Sequence, residues 1–129
     1  MPLVRISIPD HFTPERQQAL CTAVHDAMVA TINVPAADRF QIITRHGPGD
    51  LVMDPAFLDI ERGKDAVIVH ITLRAGRTND QKRALYAQIA DSASRIAGMR
   101  PQDIMIVLSE NTLPDWSFGN GIAQYAPTG

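Results

Sequence analysis

The sequence predicts an α/β (α+β) fold: tandem β-α-β repeats forming a four-stranded, mainly parallel or mixed sheet, with two helices on one face. Three observations predict it. The chain echoes itself: with Ile6 laid on Ile71, the residues Thr13, Ala19, Leu20, Asp26 and Asp38 fall on Thr78, Ala84, Leu85, Asp91 and Asp103. Each copy reads as a β-rich apolar run, an apolar stripe at helical spacing, and a second β-rich run. Right-handed crossovers then place both helices on one side of a shared sheet. The expected organisation is one domain over residues 1–129, with pseudo-repeats at about 2–44 and 67–109 and an aromatic C-terminal tail.

The first strand is carried by Leu3, Ile6 and Ile8. Its helix starts after Thr13, an N-cap candidate, with Pro14 at the first helical position, where a missing N–H costs nothing. Leu20, Val24, Ala27, Met28, Thr31 and Ile32 recur at helical spacing, and a strand follows over Phe40 to Thr44. The stretch "RHGPGDLVMDPAFLDIERGKD" is rich in Gly, Pro and Asp and reads as a loop with a short edge strand near Phe57 to Ile60. Val67 to Leu73 is nearly all apolar, interrupted by His70 and Thr72, as suits a strand covered on both faces. "TNDQ" at Thr78 is a capping box, the stripe Leu85, Ile89, Ala93 and Ile96 follows, and Gly98 with Pro101 ends the helix. The last strand spans Ile104 to Ser109. The sheet face away from the helices is expected to be apolar and covered by other subunits.

Composition narrows the function. Hydrophobic content of 45%, charged content of 20% and a net charge of -2 are those of an ordinary globular protein and give no basic face for nucleic acid. No apolar run approaches ~20 residues, so no membrane span is expected. A lone Cys21 excludes an internal disulfide, and the absence of a signal core points to the cytoplasm. His11, His25, His46 and His70 lack metal-ligand spacing. Cys21 and His70 read as core residues, whereas His25 sits near the polar edge of its helix.

Several residues remain that can carry chemistry. In "LRAGRT", Arg74 and Arg77 flank a glycine turn between a strand end and a capped helix N-terminus, where anions settle. Guanidinium forks hold carboxylates at two points, so the pair suits a carboxylate-bearing substrate; the alternative is a solvated pair meeting Asp80. Pro2 follows Met1, and methionine removal would expose a secondary amine. A free α-amine titrates near ~7.7–8.0, and burial or adjacent cations lower that value. In its neutral form it can take a proton from carbon beside a carbonyl. Asp38, in "VPAADRF", either fixes a turn or positions water or a substrate group. Trp116 and Phe118, in "DWSFGNG", wall a pocket or bury an interface.

Pro2, "NVPAADRFQ", "LRAGRTNDQK" and "DWSFGNG" in this order resemble the tautomerase superfamily, and most of all its malonate semialdehyde decarboxylase-like members. The resemblance covers essentially the whole chain. It implies the tautomerase (β-α-β) fold, a homotrimer with sites near subunit boundaries, and no metal or organic cofactor. It casts Pro2 as catalytic acid/base, Arg77 as the carboxylate anchor, Asp38 as the decarboxylase's catalytic aspartate, and Trp116 and Phe118 as pocket wall. The decarboxylase pattern has arginines separated by one residue, whereas two residues separate Arg74 from Arg77 here. The expected function is therefore cofactor-independent tautomerisation of a small enolisable 2-oxo acid. The alternatives are a malonate semialdehyde decarboxylase-like carboxy-lyase with hydratase activity, and a non-enzymatic trimeric binding protein on the same scaffold.

Overall fold

In the computed structural model, which describes residues 1–127, two strand-helix-strand units build one sheet. The first is β1 (Pro2–Pro9), α1 (Pro14–Ile32) and β2 (Gln41–His46); the second is β3 (Val67–Arg74), α2 (Asn79–Ala97) and β4 (Ile104–Asn111). The strand order is β2-β1-β3-β4, parallel within each unit and antiparallel where β1 meets β3. This is the mixed four-stranded sheet that the repeat predicts.

Local chemistry sets the helix starts. Thr13 accepts a hydrogen bond from the Arg16 N–H, and Thr78 and Gln81 form a reciprocal capping box. Both helices end on a left-handed residue, Asn33 (φ 59) and Gly98 (φ 62). Inward-facing Val4, Ile6, Ile8, Val67, Val69 and Ile71 pack beneath Leu20, Val24, Met28, Leu85 and Ile89, all of them buried. Arg16 locks the start of α1 to the end of α2, donating to the Ala97 and Gly98 carbonyls and pairing with Asp65 at 2.9 Å. Burial works to raise the Asp65 pKa, but hydrogen bonds from His11, Arg16 and Lys64 outweigh it and hold the carboxyl well below its usual range. Cys21 is a core residue as expected, and burial pushes its thiol up, with Arg39 partly opposing. No helix among the described residues is long and apolar enough to cross a membrane.

The structure corrects four expectations. Phe57–Asp59 forms a 3₁₀ turn rather than an edge strand, and Leu58 (φ 60) and Asp59 (φ 56) take left-handed conformations that no strand accommodates. Ile96 is 46% exposed; Ala97, one turn beyond Ala93, takes the inward place instead. His70 bonds the Ser109 hydroxyl at 2.7 Å, but across the open sheet face rather than within the core. That face is mixed rather than apolar: Ile42, Ile68, Met105 and Val107 share it with Arg5, Ser7, His70 and Thr72. The strands alternate in burial, so β3 is covered on one side only within the chain.

Candidate active site

At one end of the sheet, β1 begins where β3 finishes. Pro2 lies opposite Leu73 in the antiparallel ladder, so the start of the chain runs beside the last residues of β3. Beyond Arg74 the chain turns at Gly76, whose φ of +123 strains any residue with a side chain. A Cβ there would meet no atom within 4 Å, so the demand for glycine is one of backbone conformation, not space. The Arg77 guanidinium donates back to the Arg74 carbonyl at 2.9 Å, and the Ala75 N–H donates to the Asn111 carbonyl at 2.8 Å. Folded this way, the two arginines both line one cavity of about 500 Å³. The extra residue between them does not send either one away.

Asp38, from the segment that follows α1, lines the same cavity. The Asn33 cap turns the chain out of α1, and the Asp38 N–H donates to the Pro35 carbonyl at 3.0 Å to close a tight turn. One carboxylate oxygen, Oδ2, stands 2.8 Å from the Met1 ammonium. The other, Oδ1, is buried without a hydrogen-bond partner among the described residues. Met1 lines the cavity and is itself 8% exposed, and Pro2 is buried just behind it. Asp103, the repeat mate of Asp38, has a different fate: it is buried, accepts from the Gly63 N–H and pairs with Arg100, which is the work of a structural residue.

The site is electropositive on its β3 side. Burial pushes the Arg77 guanidinium below its ordinary pKa, the like charge of Arg74 adds to the push, and Glu110 opposes it. The N-terminus of α2 contributes further partial positive charge beside Arg77. A half-buried cation crowded by another cation is relieved by an anion, and a carboxylate fits the guanidinium fork.

Trp116 and Phe118 line a neighbouring cavity of about 460 Å³ over the open sheet face, together with Leu3, Phe40 and Thr72. They do not line the cavity that holds Asp38. Their rings are stacked at 5.6 Å, and the Trp116 indole donates to Asn111 Oδ1 at 2.7 Å, which ties them to the strand partner of Arg74. Tyr125 connects the two cavities: it lines the first and meets Phe118 edge-on at 5.8 Å. Sequence reasoning missed Tyr125, although it belongs to the aromatic tail. It also missed Gln81 as a lining residue, because its side chain was accounted for by the capping box. Among the described residues no group of His, Cys, Asp and Glu is placed to hold a metal ion.

A family model described as "Tautomerase enzyme" matches residues 38–119, and a second with the same description matches residues 2–58. The chain belongs to the tautomerase family. It is 39% identical to the probable tautomerase YusQ of Bacillus subtilis (strain 168), over 96% of this chain and 98% of that one. FG41 malonate semialdehyde decarboxylase, solved after inhibition by 3-bromopropiolate, shares 41% identity and superposes with a TM-score of 0.91, covering 95% of this tautomerase and 93% of its own chain. A fused 4-OT solved as a symmetric trimer is 29% identical with a TM-score of 0.77, covering 95% and 97% of the two chains. This tautomerase-family chain is thus an enzyme, with activity of the tautomerase type.

Proposed function

We propose that the protein interconverts the enol and keto forms of a small 2-oxo acid, using Pro2 as acid/base once Met1 has been removed. The observation that carries this reading is the single cavity lined by Met1, Asp38, Arg74 and Arg77. Loss of Met1 would leave the Pro2 nitrogen as a secondary amine beside that cavity. Arg77, with Arg74 next to it, holds the substrate carboxylate. The neutral amine accepts the enol hydroxyl proton and, once charged, delivers a proton to the adjacent carbon. Asp38, whose Oδ2 holds an ammonium at 2.8 Å, stabilises the charged amine between the two transfers. Trp116, Phe118 and Tyr125 provide an apolar shelf for the rest of the substrate.

The test is ketonisation of phenylenolpyruvate by chains that begin at Pro2 and by chains that keep Met1, checked by intact mass. A retained Met1 makes the Pro2 nitrogen a tertiary amide with no basic lone pair. Its activity is expected to fall by ~10²-fold or more. Equal rates would end the proposal.

A second reading is decarboxylation of a 3-oxo acid such as malonate semialdehyde. It is favoured by the buried Asp38 Oδ1, an acceptor with no donor among the described residues, and by the 41% identity to FG41 malonate semialdehyde decarboxylase. On this reading CO2 is released at millimolar malonate semialdehyde, and Asp38→Asn lowers the release at least ~10-fold. Absence of CO2 from the wild type removes it. In either reading the working unit is a homotrimer, like the fused 4-OT relative, with Ile42, Met105 and Val107 of the open face (40%, 47% and 41% exposed) covered by neighbouring copies.

A further inference from the structure

We propose that His25 is a positioning residue for Asp38, holding the turn that aims its carboxylate into the cavity. His25 is 5% exposed on the inner side of α1, among Val24, Ala27 and Met28. Its Nε2 lies 2.8 Å from the Ala36 carbonyl oxygen. A carbonyl has no proton to give, so Nε2 is the donor. Its Nδ1 is buried and has no hydrogen-bond partner among the described residues. A leucine would fill this helix position without leaving a bare polar atom, so the histidine carries a burial cost that an apolar residue would not. What it supplies is one hydrogen bond into residues 33–40, the irregular segment that carries Asp38.

The two ends of that segment are held by backbone bonds, Val34 N–H to the Met28 carbonyl at 3.4 Å and Val4 N–H to the Phe40 carbonyl at 3.0 Å, which leaves the turn between them. Backbone bonds close its turns locally, Asp38 N–H to Pro35 and Arg39 N–H to Ala37, both at 3.0 Å. Arg39 reaches back to the Thr22 hydroxyl at 3.3 Å, after the turn and on the exposed side. His25 alone among the described side chains bonds the Pro35–Asp38 turn to the helix from within. The direction of the Asp38 carboxylate depends on this backbone, because Oδ1 has no partner to fix it and Oδ2 holds a terminal amine. Releasing the Ala36 carbonyl frees the turn to rotate, and small displacements of a reacting group are costly to turnover.

This inference rests on the proposed role of Asp38, and the experiment separates the two. His25→Leu removes the donor, whereas His25→Gln places an amide N–H where Nε2 stood. With the enzyme beginning at Pro2, His25→Leu is expected to lower kcat for phenylenolpyruvate ketonisation about tenfold or more, with KM changed less than about twofold. His25→Gln is expected to restore most of the rate. Amide hydrogen exchange over residues 35–39 should accelerate in the leucine variant and return towards wild type in the glutamine variant. In an Asp38→Asn background the leucine substitution should add no further loss. Unchanged exchange in a folded His25→Leu protein overturns the proposal, and so does a glutamine variant as impaired as the leucine one. If Asp38→Asn alone leaves kcat intact while His25→Leu speeds exchange, the catalytic reading of Asp38 fails and the clamp on the turn stands.

Discussion

Pro2→Ala is expected to lower kcat for ketonisation by ~10²-fold or more while leaving KM within a few-fold. Alanine keeps an amine at the chain start but loses the ring that fixes φ and makes the nitrogen a secondary amine. The proposed carboxylate anchor, Arg77, is a separate side chain that the change leaves in place, which is why binding should survive. Pro2 also sits in the ladder opposite Leu73, so the variant must be shown to melt within a few degrees of wild type before the rates are compared. Steady-state ketonisation of phenylenolpyruvate and a thermal melt on the same preparation make the comparison. A rate equal to wild type would take Pro2 out of the mechanism.

Arg77→Ala should act on binding instead. A hydrogen bond to a charged group is worth about 1.5–3 kcal/mol, or roughly 10- to 100-fold in kcat/KM, and most of the loss should appear in KM. Arg77→Lys tests the geometry: it keeps the charge but loses the two-point fork, so its KM should lie between those of wild type and alanine. Because the Arg77 guanidinium also donates to the Arg74 carbonyl, alanine loosens the turn as well, and a thermal melt of the variant reads that structural part of the change separately. A substrate analogue without the carboxylate should bind the wild type and Arg77→Ala equally. If Arg77→Ala instead leaves KM for phenylenolpyruvate unchanged, the carboxylate is held elsewhere.

Much of the scaffold was legible because it is encoded locally. Thr13-Pro14 and the Thr78/Gln81 capping box start helices through contacts within one turn, and their residue types announce them. The repeat revealed the pairing of units without any knowledge of register. Legibility failed where a residue's neighbours come from elsewhere. Ile96 and Ala97 both extend the α2 stripe, and only the contact surface chose the alanine. Phe57 to Ile60 has strand-forming residues but pairs with no strand among the described residues, and the chain turns left-handed there. His25 reads as lying near the polar edge of its helix, yet it is buried, because its partner is a backbone carbonyl in another segment.

The candidate site divides the same way. Arg74, Arg77, Asp38 and the Met1-Pro2 start could be singled out as chemistry-bearing residues at the ends of their elements. Their arrival at one cavity could not, since it depends on β1 lying antiparallel to β3 and on a glycine turn that brings both arginines round. By itself the sequence determined the fold class and which side chains were available, because capping, periodicity and repetition are short-range properties. Tertiary structure alone decided that Trp116 and Phe118 line a separate cavity, that Tyr125 links it to the first, and that Asp38 lines the first while one of its carboxylate oxygens is buried with no partner among the described residues. Those outcomes arise from packing between segments far apart in the chain, and no local pattern records it.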